Sequence, residues 1–182
     1  MSLNNLAGQF STRFAHRGND EDLDQAITLD REALALRPVG HPDRSSSLSS
    51  LANRLSTRFD QRGNDEDLDQ AIAFHGEALA LRPVGHTDRS SSSNSLGNYL
   101  STRFDHRGSD KDSDEAIALH MEALDLRPLG HAYRSNSLNN LAKQFSTRFA
   151  HRGNAETWIG LLHFTRKRWL YALSVTQIGS RH

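Results

Sequence analysis

Apolar residues recur along this chain with the spacing of three and four residues that places them on one face of a helix. The clearest stripe predicts a first helix, helix A, at about residues 42–62, and it consists of Leu48, Leu51, Ala52, Leu55 and Phe59. A second stripe predicts helix B at about residues 65–82, and it consists of Leu68, Ala71, Ile72, Ala78, Leu79 and Leu81. We therefore expect an all-α fold built from pairs of helices.

The residues between the two stripes are typical of helix ends. Gly63 follows helix A and suits the left-handed backbone of a helix C-terminus, where a Cβ atom would be strained. Asn64 can cap helix B, whose first turn carries three acidic residues near the positive end of the helix dipole. Pro83 and Gly85 end helix B, because proline cannot continue a helix. Each helix pair should therefore contain a tight turn and be followed by a short loop.

A motif of four residues, Ser-Thr-Arg-Phe, occurs four times at a constant interval. Its arginines are residues 13, 58, 103 and 148, so the interval is 45 residues. A helix-ending glycine, an Ala-Ile pair and an Arg-Pro pair recur in the same register. The sequence therefore predicts a repeat array over residues 1–154, with units at about 1–41, 42–86 and 87–131 and a partial unit at 132–154. Stacked helix pairs of this kind bury a continuous core between neighbours, as in a solenoid.

These landmarks resemble the tetratricopeptide repeat over residues 2–153. The family's apolar, Leu-small and aromatic pattern is found at Leu3, Leu6-Ala7 and Phe10 and at Leu138, Leu141-Ala142 and Phe145. Its later small residues and terminal proline correspond to Ala26, Ala33 and Pro38 and to their counterparts in the next two units. The resemblance implies a right-handed α-solenoid of antiparallel helix pairs. The period exceeds the usual 34 residues, and it is similar to the long-helix arrays of kinesin light chain and of fungal proteins with a caspase-like CHAT domain.

One position of helix B departs from that family. The usual aromatic residue is replaced by polar residues, which are Asp30, His75 and His120. We expect the apolar residues one position earlier to pack in its place, and these are Leu29, Phe74 and Leu119.

The arginine of the repeated motif lies at the margin of the apolar stripe. Buried there it requires a carboxylate, because an unpaired buried charge is costly. Two acidic series on helix B are candidate partners, namely Glu32, Glu77 and Glu122, or Asp24, Asp69 and Asp114. We expect an ion pair between helices and not a ligand site.

The resemblance also implies that helix A lines a concave groove for a partner. Carried onto this chain, the family's groove positions are Asn4, Ser49, Asn53, Thr57, Asn94, Asn98, Thr102, Asn139 and Lys143. The surface is almost uncharged, and it lacks the lysines, apart from Lys143, with which the carboxylate-clamp kind binds the acidic tails of heat-shock chaperones. Asparagine both donates and accepts hydrogen bonds. The groove therefore suits an extended peptide or a neutral helix.

Composition and charge exclude several other functions. Lysine plus arginine and aspartate plus glutamate both number 22, which disfavours nucleic acid and membranes as partners. There is no cysteine, no nucleophile elbow and no glycine-rich phosphate loop. One histidine recurs in each loop after helix B (His41, His86 and His131), too sparsely to close a metal site, so we expect it to cap a turn. We predict no catalytic residue, no cofactor and no metal, in a protein of the cytoplasm or nucleus.

The sequence therefore predicts a non-catalytic protein–protein interaction scaffold. The alternative is a regulatory or sensor repeat fragment of a larger multidomain protein, CHAT protease-like or NTPase-associated. The repeat register fails after Asn154, and residues 155–182 form a divergent tail that we expect to be helical. Three interpretations of this tail are open: a helix packing in place of helix B, a helix that binds a partner or a membrane surface, or a truncated or misread gene end.

Overall fold

Seven α-helices joined by short connections make up the part of the chain that the computed structural model describes, residues 2–152. In chain order they are α1 (Leu3–Arg17), α2 (Asp20–Ala35), α3 (Arg44–Arg62), α4 (Asp65–Ala80), α5 (Arg89–Arg107), α6 (Asp110–Asp125) and α7 (Arg134–Arg152). No strand occurs in residues 2–152. The predicted all-α fold is confirmed, while the prediction of a helical tail at residues 155–182 lies outside the described residues.

Each odd-numbered helix is a helix A and each even-numbered helix is a helix B. The helices pack as the pairs α1 with α2, α3 with α4, and α5 with α6, and each helix B also packs against the helix A that follows it. These contacts join helices that follow one another in the sequence, and α5 and α7 also contact each other. Stability of such an array comes from the pairs and from the interfaces between adjacent pairs, as in other repeat proteins.

The ends of the helices follow the expected local chemistry. Gly63 has a φ of 67°, and its N–H donates to the carbonyl oxygen of Phe59 at 2.7 Å. The Asn64 side chain accepts from the N–H of Glu66 at 3.0 Å and caps α4. Helix α3 begins at residue 44 and α4 ends at residue 80, each about two residues inside the predicted bounds. Helix B therefore ends before its proline, because proline restricts the backbone conformation of the residue that precedes it.

The recurrent loop histidine closes the turn that leads into the next helix A. His41 Nδ1 accepts from the N–H of Asp43, and His86 Nδ1 accepts from the N–H of Asp88, both at 3.1 Å. His131 repeats the contact with the N–H of Tyr133 at the same distance. The predicted turn-capping role of these histidines is confirmed.

The core is continuous across the interface between units. Leu51 and Leu55 of α3 are fully buried and cluster with Leu23 and Ile27 of the preceding helix B and with Ala71 of their own unit. Complete burial of one leucine side chain contributes about 1.5–3 kcal/mol. Each interior helix A is therefore held from both sides.

The repeated arginines pair with carboxylates on two helices. Arg58 makes a bidentate contact with the buried Asp67 of its own unit, at 2.8 and 2.7 Å, and contacts Asp24 of the preceding unit at 3.0 Å. Arg103 repeats both contacts with Asp112 and Asp69. The predicted partners Asp24 and Asp69 are confirmed, and so is Asp114, which pairs with Arg148.

The glutamate alternative for these arginines is wrong at the two units where the partner is recorded. Glu77 pairs with Arg44 at 2.7 Å and Glu122 pairs with Arg89 at 2.7 Å, each at the start of a helix A. The glutamates lie near the end of helix B, which is close to the start of helix A in an antiparallel pair. The motif arginines lie near the end of helix A, where only the first half of helix B is within reach.

Candidate functional site

The predicted groove residues all lie on the four A helices, α1, α3, α5 and α7. Four of them are exposed, namely Asn53, Asn98, Asn139 and Lys143. The other five are half-buried, namely Asn4, Ser49, Thr57, Asn94 and Thr102. The sequence pattern thus places a row of amide and hydroxyl groups on successive A helices, with Lys143 as the cation among them.

Some of these groups already have partners within the fold. The Thr57 and Thr102 hydroxyls donate to the carbonyl oxygens of Asn53 and Asn98 in the preceding turn, at 3.0 and 3.1 Å. Asn94 Oδ1 accepts from Asn140 of α7 at 3.2 Å. Several of these side chains therefore form hydrogen bonds within the protein, and fewer of their donors and acceptors remain available to a ligand.

Asn53 has a structural role that the sequence pattern did not predict. Its Oδ1 accepts from the Tyr99 hydroxyl at 2.8 Å and lies 3.1 Å from Nε2 of His75. The rings of His75 and Tyr99 are 5.0 Å apart between centroids. Asn53 thus connects its own helix pair to the following one, so a substitution there would disturb the stacking of units as well as any ligand.

Each interface between units contains a buried polar residue of helix B, namely Asp30, His75 or His120. Asp30 is fully buried and pairs with Arg54 of the next helix A at 3.1 Å. At the next interface, the corresponding residues are His75 and Tyr99. At the third interface, the corresponding residues are His120 and Gln144, both buried. The polar residues are themselves buried. Leu29, Phe74 and Leu119 are partly buried, and Phe74 and Leu119 pack against the core as expected.

Burial sets the protonation of this polar layer. Desolvation raises the pKa of Asp30 to about 6, although the Arg54 and Arg37 guanidinium groups oppose that shift. Desolvation lowers the pKa of His75 and of His120 to about 4. The two imidazoles are therefore neutral at pH 7, so they offer hydrogen bonds without charge.

A cleft of about 250 Å³ opens between α5 and α7, above the His120 ring. It is lined by Asn98, Ser101, Thr102, His120, Asn140, Lys143 and Gln144. His120 Nδ1 is buried and has no hydrogen-bond partner among the described residues. The cleft can therefore hold one polar side chain or a short stretch of peptide backbone, which would meet amide groups at the walls and one cation at the rim.

Gly97 allows the His120 ring to lie close against the backbone of α5. A Cβ atom at residue 97 would lie 2.8 Å from His120 Cε1, below any normal contact distance. The first two units have alanine at this position, Ala7 and Ala52, and the third has the glycine where the histidine ring lies against the helix backbone.

We expect Gly97→Ala to lower the free energy of unfolding by about 1–3 kcal/mol, because the buried ring must move. Gly8→Ala on α1 is the matched control. Nothing lies within 4 Å of a Cβ at that residue, so it should raise stability by about 0.5–1 kcal/mol through helix propensity. Urea unfolding of both variants measures the difference. Equal effects of the two substitutions would contradict the close packing of His120 on Gly97.

Residues 2–152 bring no three histidine, aspartate or glutamate side chains together as metal ligands. None of the described helices is both long and apolar enough to cross a membrane.

The helical arrangement is similar to that of a de novo designed helical repeat protein known from its crystal structure. The two share a TM-score of 0.53 at 16% identity, over 98% of this chain and 95% of the designed one. No protein-family model matches the sequence, and no curated protein matches it. At this identity the similarity establishes the helical-repeat fold alone.

Proposed function

We propose that this chain is a non-catalytic protein–protein interaction scaffold of tetratricopeptide type that binds a peptide or a partner helix along its A helices. The single observation that carries the proposal is the polar cleft between α5 and α7, which a buried imidazole with one unpartnered nitrogen lines together with three side-chain amides, of which Asn98 is exposed. A general role in protein interaction also agrees with the helical-repeat fold.

The chemistry of the A-helix face favours an uncharged or weakly acidic ligand. Its exposed amides can satisfy both the N–H and the C=O groups of a peptide backbone. Lys143 is the charged residue that lines the cleft, so a carboxylate or a carbonyl of the ligand would lie beside it. This balance supports a peptide ligand over a nucleic acid, which requires several cations to neutralise phosphates. We place the protein in the cytoplasm or nucleus as part of the same proposal.

The test uses a peptide selected from a random library against the whole chain. Asn98→Ala combined with Lys143→Ala should weaken its binding by roughly 1–3 kcal/mol, because two hydrogen-bonding partners are lost from a partly buried site. Asn98 is preferred to Asn53 because Asn53 also connects two units. Isothermal titration calorimetry measures the change.

The matched control replaces an exposed amide and an exposed lysine on the B helices, Gln25→Ala combined with Lys111→Ala. This control should leave the affinity unchanged. Selected peptides that bind the Asn98 and Lys143 double variant as tightly as the original chain would refute the proposed site.

A further inference from the structure

The two interior interfaces show how a helix A receives the helix B before it. Arg62 of α3 pairs with Asp24 at 3.0 Å and with Asp20 at 3.6 Å, both on α2. Arg107 of α5 repeats this with Asp69 at 3.0 Å and Asp65 at 3.4 Å, both on α4. The end of each interior helix A thus binds two carboxylates that lie one helical turn apart.

Helix α1 carries the same arginine without the carboxylates. Arg17 is the counterpart of Arg62 and Arg107 and is exposed, and within residues 2–152 the carboxylate that it influences is Asp22 of its own unit, beyond the distance of an ion pair. Its neighbour Arg13 pairs with Asp22 of its own unit. It lacks the second carboxylate that its counterparts receive, and its side chain is 49% exposed, against 22% and 23% for those counterparts.

The apolar part of the same face is also incompletely covered. Leu6 and Phe10 of α1 are partly exposed, whereas their counterparts Leu51 and Leu55 in α3 are fully buried. These apolar residues and the two arginines lie on one side of α1, because residues 6, 10, 13 and 17 follow one another at intervals of three or four. We call the surface formed by Leu6, Phe10, Arg13 and Arg17 the α1 end face.

We propose that the α1 end face binds an acidic amphipathic helix of another protein, in the way that α3 receives α2. The interior interfaces define the required pattern. The partner helix carries carboxylates at positions i and i+4 for Arg17 and Arg13, and apolar residues at i+3 and i+7 for Leu6 and Phe10. This pattern occurs in α4 as Asp65, Leu68, Asp69 and Ile72. The site is separate from the cleft between α5 and α7, so it does not depend on the function proposed above.

Charge complementarity favours this occupant over a second copy of the chain. Within the described residues, α2 and α4 present both acidic residues of the pair to the helix A that follows, and α6 presents Asp114 to Arg148 of α7. Another copy therefore has no free acidic helix to offer in residues 2–152. A different protein with an unpaired acidic helix fits the cationic and apolar face better.

The chain supplies its own probe for the test, a synthetic peptide of residues 64–81 that contains the acidic pair of α4. An isolated helix of this length is marginal in water. A second peptide with Gly76→Ala therefore raises the helix content, which circular dichroism measures. We expect both peptides to bind the whole chain saturably in fluorescence anisotropy, the Gly76→Ala peptide more tightly, and with an affinity that falls as salt rises.

Charge exchange locates the binding surface. Arg17→Glu in the chain should weaken the peptide roughly tenfold, because two partly exposed ion pairs become repulsive. A peptide with Asp65→Arg alone should lose affinity for the original chain and regain it for the Arg17→Glu chain, because Asp69 keeps its contact with Arg13. Lys111→Glu on α6 is the control with the same change of charge, and it should leave the affinity as it was.

Several results would overturn the proposal. One is failure of both peptides to bind although the Gly76→Ala peptide is helical. Another is binding that Arg17→Glu does not weaken, which would place the peptide elsewhere. A third is self-association of the chain in sedimentation that Arg17→Glu abolishes, which would make a second copy the occupant.

Discussion

Acidification from pH 7 to pH 4 is expected to lower the free energy of unfolding by roughly 3–4 kcal/mol through three buried side chains. His75 and His120 have a pKa of about 4 in the folded chain, below the 6.5 of an unfolded histidine. Between those pH values the unfolded chain binds more protons. Stability therefore falls as the pH falls, by about 3 kcal/mol for each imidazole.

Asp30 acts in the opposite direction over nearly the same range. Its pKa is about 6 in the folded chain, above the 3.8 of an unfolded aspartate. The folded chain therefore binds the extra proton between pH 6 and pH 3.8, and stability rises as the pH falls there, by about 2–3 kcal/mol. The two histidines outweigh the single aspartate. At Asp69 desolvation opposes the effect of two arginines, yet those arginines keep its pKa below the usual value, and arginine partners do the same at Asp24.

Urea unfolding at pH 7, 5.5 and 4 measures the loss. Asp30→Asn should make the dependence on pH steeper, because it removes the contribution of opposite sign. His120→Gln should make it shallower by about 3 kcal/mol over the same range, because glutamine does not titrate. Stability that is flat from pH 7 to pH 4 in the original chain, and unchanged in slope by both variants, would show that these side chains are not buried as described.

The fold could be predicted from the sequence because its determinants are local or periodic. The apolar stripe of Leu48 to Phe59, the glycine at 63 and the cap at Asn64 each act within one or two helical turns. The 45-residue period then implies that every unit meets its neighbour in the same way. Asp24 and Asp69 could be predicted as partners of the motif arginines because they recur with that period at the margin of the stripe.

The polar layer could not be predicted in the same way, because it breaks the repeat. Residues 30, 75 and 120 are Asp, His and His, and residues 54, 99 and 144 are Arg, Tyr and Gln, so no single pair recurs. The constant offset of 24 residues between the two sets was the available signal. Whether residues separated by this offset come together depends on how one unit stacks on the next, and the period alone does not specify that stacking. The pairing of Asp67 with Arg58 was not predicted for another reason. An acidic residue in the first turn of helix B is already explained by the helix dipole, so nothing indicated a second role.

We expect that the polar pair of one interface can be moved to another. At the first interface, Arg54→Tyr alone should cost about 3–5 kcal/mol at pH 7, because it leaves Asp30 buried without its cation. Asp30→His alone should cost a similar amount, because Arg54 then loses its carboxylate. Combining the two with Gly8→Asn recreates the group formed by His75, Tyr99 and Asn53 at the second interface. The new side chains have room, since Ala7 matches Ala52 and nothing lies within 4 Å of a Cβ at residue 8.

We expect the triple variant to return to within about 1 kcal/mol of the original stability, so that the coupling between the substitutions exceeds about 3 kcal/mol in a mutant cycle. Urea unfolding of each variant at pH 7 supplies that cycle. The reciprocal exchange at the second interface, His75→Asp with Tyr99→Arg and Asn53→Gly, is the matched experiment and should show the same pattern. Additive losses at both interfaces would mean that each pair depends on its own surroundings. Recovery at both interfaces would mean that the polar pairs are exchangeable and that they distinguish otherwise similar interfaces. Such pairs oppose the stacking of units out of register, because a wrong neighbour would leave a buried charge unpaired.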